Sequence, residues 1–238
     1  MNKKPQKPVG FGNEKHGSVI LGGSRAIKHH FLLDPEMALK IDYAHRIAKE
    51  ALRGLDIEVL QFRRVSAEPK PKQRNLVNPK SLRDGNVLRF PGTIALVSNR
   101  VAMDQNSRTY FGGFYQAQKQ GCTFRIDQNP APVFGKPFEY LNRVSRMHYE
   151  RIPASLISEI RSRLHDAGMH YVDTSPHNIV VTPQGKRVLF EVLVDMEGSI
   201  EREGQLQRLT PEIARGVERI KNEYFQKLEE LKGRREEI

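Results

Sequence analysis

The sequence is poor in the residues that build disulfides and large aromatic cores. Among 238 residues it has one cysteine, Cys122, no tryptophan and 38% hydrophobic residues. A single cysteine excludes an internal disulfide and fits a reducing compartment. A chain of this length can bury a real core, but the low hydrophobic content predicts a modest one.

Long hydrophobic runs are also lacking. No stretch approaches the roughly 20 apolar residues that a membrane-spanning helix needs. The segment Met1–Gly10 is basic, contains proline and has none of the apolar run of a secretory signal. We therefore expect a cytoplasmic protein with no membrane span.

Acidic residues are outnumbered by basic ones. The chain has 39 Lys and Arg against 28 Asp and Glu, which gives a formal net charge of +11. Nucleic acid, an acidic membrane surface, an anionic substrate such as ATP, or an acidic protein would each suit this charge. The positive residues are densest at Arg63–Arg83 and Met1–Lys7. Because no helix-turn-helix, zinc ligand set or aromatic-basic platform is visible, nucleic acid is a possible partner but not the favoured one.

The first half of the chain predicts small strands and one helix. Apolar residues recur at helical spacing over Tyr43–Arg53, and Gly54 ends that pattern. Glu68–Gly85 is rich in Pro, Lys, Arg and Asn and predicts a solvated loop, whereas Gly121–Pro137 predicts irregular structure. Short apolar runs beside turn residues predict strands at Ser18–Leu21, Phe31–Leu33, Met37–Ile41, Val87–Phe90, Thr93–Ser98 and Arg108–Gln116.

The second half predicts helices around one hairpin. Phe138–Tyr149 has helical character, and a further helix runs from Pro153 to Gly168. A long helix with alternating charges begins at Pro211. The hairpin consists of Ile179–Thr182 and Arg187–Val194.

A carboxylate and an amide lie five residues apart at the start of that hairpin. Asp173 precedes Asn178, and Pro176 between them completes a D-x-x-P-x-N pattern. This is the spacing of a kinase catalytic loop, in which the Asp accepts the proton of the attacking hydroxyl and the Asn binds magnesium. The same pair also occurs by chance in a polar turn before a strand. We interpret His170 and His177 as packing or loop hydrogen-bonding groups.

A magnesium site of this kind needs a second carboxylate. Glu191 lies within an apolar strand, where a carboxylate is costly to bury unless it is paired. Asp195 ends that strand and precedes Gly198 in an Asp-x-x-Gly pattern. We favour Asp195 and keep Glu191 as the alternative.

The first half offers groups that could hold the phosphates of a nucleotide. Gly22, Gly23 and Ser24 form a turn in which backbone N–H groups can approach phosphate oxygens. Lys40 follows on a predicted strand and would contact the phosphates, with Glu50 on the next helix holding its ammonium group. Alternatively, the glycines form an ordinary hairpin turn, and Glu50 pairs with Arg46 or Arg53 on its own helix. Arg25 and Lys28 could add positive charge.

With these motifs the chain resembles the protein-kinase-like superfamily, and within it the small bacterial or phage type of the PhoP regulatory network (YrbL-like) family. The family pattern L-G-x-x-R followed by K-I is seen as Leu21–Arg25 and Leu39–Ile41. The pattern P-x-N-I with a longer gap to D-x-x-G is seen as Pro176–Ile179 and Asp195–Gly198. That gap supports Asp195 over Glu191. The resemblance covers roughly Val19–Gly198.

The resemblance implies an α+β, two-lobed protein-kinase-like fold. A flexible N-terminus would cover residues 1–17, and a β-rich N-lobe with one helix would cover 18–116, including a basic loop near 66–85. A mainly helical C-lobe would cover 117–238, with the catalytic loop and the long C-terminal helix.

The implied activity is an ATP- and Mg²⁺-dependent phosphotransferase, with Ser or Thr hydroxyls of a protein as the expected acceptor. Asp173 would act on the acceptor hydroxyl, Asn178 and Asp195 would bind Mg²⁺, and Lys40 would neutralise developing charge. A small-molecule kinase of the aminoglycoside or sugar type is an alternative, because no A-P-E segment follows Gly198. A pseudokinase or scaffold and a nucleic-acid-binding protein are further alternatives.

Overall fold

The computed structural model describes residues 17–22, 25–30, 35–69, 92–119, 139–193 and 198–236. Its helices are α1 (Pro35–Ala51), α2 (Gln105–Lys119), α3 (Glu139–Glu150), α4 (Ala154–Asp166) and α5 (Pro211–Glu236). Its strands are β1 (Gly17–Gly22), β2 (Arg25–His30), β3 (Glu58–Val59), β4 (Phe62–Pro69), β5 (Gly92–Asn99), β6 (Met169–His170), β7 (Ile179–Val181), β8 (Arg187–Leu189) and β9 (Ser199–Ile200). The fold is α+β, as expected.

The strands form three small sheets. The first has the order β1-β2-β5-β4 with antiparallel neighbours, and it places β2 between β1 and β5. In the second, with the order β3-β8-β7, β3 runs parallel to β8, while β7 and β8 form the predicted hairpin. The third pairs β6 with β9, so the chain before Asp173 is joined to the chain after Gly198.

The predicted strand Met37–Ile41 is wrong, because these residues form the first turns of α1. Pro35 begins this helix, and its fixed φ and missing N–H suit the first helical position. Glu36 in the first turn also interacts favourably with the positive end of the helix dipole. Buried side chains then recur from Ala38 to Ala51 at helical spacing. The Asp34-Pro35 pair therefore precedes a helix rather than joining two strands.

The predicted strand Arg108–Gln116 is also wrong, because it lies within α2. The Asp104 carboxylate accepts the Ser107 N–H at 2.7 Å and satisfies a donor of the first turn. Ser107 and Tyr110 are buried while Arg108 is exposed, which is the three-residue period of a helix. The aromatic residues of this segment, considered alone, favour a strand. The helix is indicated only when the capping residue Asp104 is also considered.

The structure confirms several of the other predicted elements. Five strands, β2, β3, β4, β6 and β9, were not predicted, and the end of β4 includes Glu68 and Pro69, where a solvated loop was predicted. β1, β5, α3, α4, the β7–β8 hairpin and α5 lie where the sequence predicted them. The predicted helix Tyr43–Arg53 is the second half of α1. The predictions for Phe31–Leu33, Val87–Phe90, Gly121–Pro137 and residues 70–85 of the basic loop lie outside the described residues. The lobe boundaries stay a prediction.

One hydrophobic cluster joins α1 to the elements around Asp173. Its central members come from α1, α4, the hairpin and α5, and include Tyr43, Ile47, Leu164, Ile179, Leu189, Val217 and Tyr224. This packing sets α1 against the part of the chain that carries the Asp173 loop. Among the described residues, no helix is long and apolar enough to cross a membrane.

A polar network fixes α5 on α1. The Glu223 carboxylate accepts hydrogen bonds from Tyr43 Oη at 2.5 Å and from both Arg46 Nη atoms at 2.6 and 3.1 Å. The hydrogen bonds from Arg46, followed by that from Tyr43, lower the pKa of Glu223 to about 2. The guanidinium group of Arg46 also lies 4.2 Å from the Tyr43 ring centroid. The C-terminal helix is therefore a structural partner of α1.

Candidate functional site

Backbone hydrogen bonds hold both ends of the Asp173–Asn178 loop. The Asp173 N–H donates to Val192 O at 2.9 Å, and Asn178 O accepts the Phe190 N–H at 3.0 Å. Val172 also forms a bridge with Leu193. The segment 190–193 therefore holds the loop at its first and last residues, as the proposed chemistry of the loop requires.

The Asp173 carboxylate is half-buried and hydrogen-bonded within the loop. Its Oδ1 accepts the Ser175 N–H at 3.1 Å, and its Oδ2 lies 3.5 Å from His177 Nε2. Burial alone would raise the pKa of Asp173, but the hydrogen bonds from His177 and Ser175 together outweigh it and lower this pKa to about 2. Asp173 is consequently ionised at neutral pH and can accept a hydrogen bond from a substrate hydroxyl.

The Asn178 side chain is buried and oriented by the same loop. It is 2% exposed, and its Nδ2 donates to the Asp173 carbonyl oxygen at 3.4 Å. The backbone N–H of Asn178 donates to Ser175 O at 2.9 Å, which closes a short 3-10 turn over Pro176–Asn178. With Nδ2 used in this way, Oδ1 is left as a neutral oxygen donor, a ligand type that suits Mg²⁺.

The second carboxylate is less defined than Asn178. Glu191 is half-buried and lies between Phe190 and Val192, whose backbones both form hydrogen bonds with the Asp173–Asn178 loop. Asp195 lies in residues 194–197, outside the described residues. Within the described ranges, no group of three or more His, Cys, Asp or Glu is arranged to hold a metal ion. Mg²⁺ is usually bound by one or two carboxylates together with substrate phosphates, so a larger cluster is not required for that ion.

Lys40 lies beside Gly198, the last residue of the Asp-x-x-Gly pattern, but on a helix. Its Nζ, on α1, donates to Gly198 O at 2.6 Å. Glu50 is ten residues further along the same helix, which places it about 15 Å away along the axis. It forms an ion pair with Arg53 at 3.0 Å instead. The structure therefore separates Lys40 from Glu50, and it brings Lys40 to the chain that follows the Asp173 loop.

The glycine turn connects two paired strands. Gly22 ends β1 and pairs with Arg25, the first residue of β2. Gly23 and Ser24 lie outside the described residues. The position of the turn, between the first two strands of the antiparallel sheet, agrees with the hairpin that the sequence suggested.

Lys28 lies on β2, an inner strand of the first sheet. It follows Ala26 and Ile27 on β2, and it pairs with Leu96 of β5 in the sheet. Leu96 is buried and packs with Ala38 of α1, so this part of the sheet lies against α1. In the sequence, the position ends the run Ala26-Ile27-Lys28.

His148 of α3 is a residue that the sequence did not reveal. Its ring is fully buried and stacks on Tyr110, with centroids 4.3 Å apart and planes 5° apart. Nε2 lies 3.4 Å from the carbonyl oxygen of Pro176, inside the Asp173 loop. Burial lowers the pKa of His148 to about 4, and the Pro176 carbonyl offsets only part of this effect. No motif marks His148, because a histidine on a buried helical face resembles any core residue.

The pKa of His148 predicts a loss of stability in acid. The unfolded chain binds a proton near pH 6.5 and the folded chain only near pH 4, so the stability is complete above pH 6.5 and falls as the pH falls from about 6.5 to 4. The full effect is roughly 3 kcal/mol. We expect His148→Gln to flatten this slope in urea unfolding measured at several pH values. Equal slopes in wild type and His148→Gln would contradict the assignment.

Comparisons with known proteins add little to this geometry. No family model matches the chain, and no curated protein matches it. A solved structure that is similar is "MAP kinase LmaMPK10 from Leishmania major", with 14% identity over 77% of this chain and a TM-score of 0.31. The chain spans 44% of that protein's length. At this TM-score a common fold is not shown, and the resemblance to the PhoP regulatory network family rests on the sequence motifs alone.

Proposed function

We propose that the protein is an ATP- and Mg²⁺-dependent phosphotransferase that acts on a hydroxyl group, with Ser or Thr of a protein as the first acceptor to test. The observation that carries this proposal is the Asp173–Asn178 loop. It pairs an ionised carboxylate with a buried amide and is hydrogen-bonded to residues 190–192. Phosphoryl transfer needs little covalent chemistry from the protein and depends on positioning and charge.

Each loop residue has a separate role in this proposal. Asp173 accepts a hydrogen bond from the acceptor hydroxyl, orients it and takes its proton late in the transfer. Asn178 holds Mg²⁺ through Oδ1, together with Asp195 or, as the alternative, Glu191. When bound, Mg²⁺ neutralises the charge that develops on the phosphate oxygens. The backbone of Gly22, Gly23 and Ser24 supplies N–H donors for the phosphates.

We assign the phosphate-binding lysine to Lys28 instead of Lys40. Lys28 is on a strand that is paired on both sides in its sheet, and it ends an Ala-Ile-Lys sequence, which is similar to the end of the kinase V-A-I-K pattern. The helix that follows carries Glu36 in its first turn, which is a candidate partner for the Lys28 ammonium group. Lys40, which hydrogen-bonds Gly198 O, instead positions the segment that carries Asp195.

A small-molecule acceptor is the second candidate, and one observation favours it. Only twelve residues separate Gly198 from Pro211. Two contacts hold this segment: β9 pairs with β6, and Lys221 Nζ donates to Glu203 O at 3.2 Å. This leaves little chain to form the activation segment of a protein kinase. A protein acceptor would then have to be bound by other surfaces.

A matched pair of lysine variants tests the proposal. Lys28→Met removes the charge next to the phosphates and should lower the phosphotransfer rate at least about 100-fold, the usual cost of losing one stabilising group. Lys40→Met loses a hydrogen bond and should cost roughly tenfold or less. Rates are measured as ADP formed from Mg-ATP with protein and hydroxyl-bearing small-molecule acceptors. A larger loss in Lys40→Met would reverse the two assignments.

A further inference from the structure

His148 contacts the backbone of the Asp173 loop through its ring nitrogen Nε2. Its Nε2 lies 3.4 Å from Pro176 O, whereas its Nδ1 is buried and has no hydrogen-bond partner among the described residues. In the neutral ring the proton is therefore best placed on Nε2, which donates to the Pro176 carbonyl. Pro176 O also accepts the N–H of Ile179. The same carbonyl thus receives donors from α3 and from the residue after Asn178.

An aromatic cluster fixes the plane of the His148 ring. Tyr110 of α2 stacks on one face at 4.3 Å, and the ring of Phe111 is edge-on to His148 at 5.8 Å. Phe111 in turn contacts Phe190, whose N–H donates to Asn178 O. The loop is therefore held from two sides, by the imidazole at Pro176 and by the Phe190 backbone at Asn178.

Asn178 is also held by its own side chain, whose Nδ2 donates to Asp173 O at 3.4 Å, and by the backbone of the turn. Pro176 has no N–H, and the backbone bonds inside the turn are Asn178 N–H to Ser175 O and Ile179 N–H to Pro176 O. A change in the direction of the Pro176 carbonyl moves the Asn178 Cα, and with it the amide oxygen that we assign to Mg²⁺. Residues that hydrogen-bond to a metal ligand orient it without binding the metal themselves. Losing one such residue typically lowers metal affinity 10- to 100-fold.

We propose that His148 is a positioning residue: its hydrogen bond to Pro176 O sets the orientation of the Asn178 side chain. The role in metal binding rests on the proposed function, whereas the role in ordering the loop does not. His148 acts through the backbone, and it does not touch the reacting atoms.

Two variants of the full chain separate the hydrogen bond from the packing. His148→Phe keeps a ring stacked on Tyr110 and removes the donor, whereas His148→Gln keeps an amide donor and removes the stack. Met147→Leu, at a 40%-exposed neighbour on the same helix, is the control. Amide hydrogen exchange of residues 173–181 reports on the loop without any activity. The concentration of Mg²⁺ that gives half-maximal phosphotransfer reports on Asn178.

We expect His148→Phe to speed exchange at Asn178 and Ile179 at least about tenfold, with α4 and α5 unchanged. The half-maximal Mg²⁺ concentration should rise 10- to 100-fold, while the rate at saturating Mg²⁺ changes less than about threefold. His148→Gln should recover part of both effects. Faster exchange throughout the chain, or an unchanged Mg²⁺ requirement in an active His148→Phe enzyme, would overturn the positioning role. If His148→Phe speeds exchange only in the loop, and the wild type transfers no phosphate, the loop-ordering role is supported and the proposed function is rejected.

Discussion

Asp173→Asn is expected to lower the rate of ATP-dependent phosphotransfer by roughly 10²- to 10⁴-fold, the range typical of a group that handles the substrate proton. The carboxylate is ionised at neutral pH because hydrogen bonds from His177 and Ser175 lower its pKa to about 2. An amide in its place can still accept the Ser175 N–H, but it cannot take a proton. We therefore expect the turnover number to fall while the affinity for Mg-ATP changes little.

Asp166→Asn is the matched control for this variant. Asp166 is another buried carboxylate, seven residues earlier in the chain, and its nearest cation is Arg208 at 3.7 Å. It lies outside the Asp173 loop, so its loss should affect thermal stability and not the turnover number of the folded protein. If both variants keep the wild-type turnover number, Asp173 is not the catalytic base. If both lose it equally after correction for folding, the effect is not specific to the loop.

Gly168→Ala is expected to be the most destabilising small substitution in the described part of the chain. Gly168 ends α4 with φ +77°, a region that costs L-residues roughly 1–2 kcal/mol. A Cβ there would also overlap the carbonyl oxygen of Glu203 and lie 2.7 Å from Lys221 Nζ. Overpacking against such fixed atoms typically costs a further 1–3 kcal/mol. We expect a total loss of roughly 2–5 kcal/mol in denaturant unfolding.

The atoms around Gly168 have little freedom to move. Lys221 is 2% exposed, and its Nζ donates to Ala167 O at 3.1 Å and to Glu203 O at 3.2 Å. The burial of the ammonium group also lowers the pKa of Lys221. The Glu201 N–H also donates to Gly168 O at 2.9 Å. This cluster joins α4, the chain after Gly198 and α5.

Gly54→Ala isolates the steric part of the effect. Gly54 has φ +87°, but a Cβ there would meet nothing within 4 Å. Its substitution should therefore cost only the backbone strain, roughly 1–2 kcal/mol. Equal losses of unfolding free energy in Gly54→Ala and Gly168→Ala would show that the close contacts at Gly168 do not matter.

The sequence was most informative where a local pattern and its boundaries agreed. α4 could be predicted because Pro153 and Gly168 bracket a regular apolar stripe, and the β7–β8 hairpin because its turn residues separate two apolar runs. The loop between them, with Asp173 and Asn178, was predicted as a site from the spacing of these two residues, because their spacing can be seen in the sequence without knowledge of packing.

Tertiary context explains what the sequence missed. Met37–Ile41 has the composition of a strand, but its side chains pack between α5 and the first sheet as part of α1. Because these residues are helical, Lys40 lies on a helix beside Gly198 and far from Glu50. The strand pairing of Lys28 and the contact of His148 with Pro176 are set by strand register and by helix packing. Both bring together residues more than 25 positions apart in the sequence. No local pattern encodes such contacts.

The most direct test of the central claim is the fate of the ATP γ-phosphate with the purified full-length chain. ³¹P NMR spectra of Mg-ATP with the wild type, with Asp173→Asn and with the wild type plus a chelator of divalent cations would follow the three phosphates over time. The proposal predicts conversion of ATP to ADP in the wild type alone, with the γ-phosphate appearing as a phosphate ester of the acceptor or of the protein. Conversion at the same rate in all three samples, or in none of them, would contradict an Asp173- and Mg²⁺-dependent phosphotransferase.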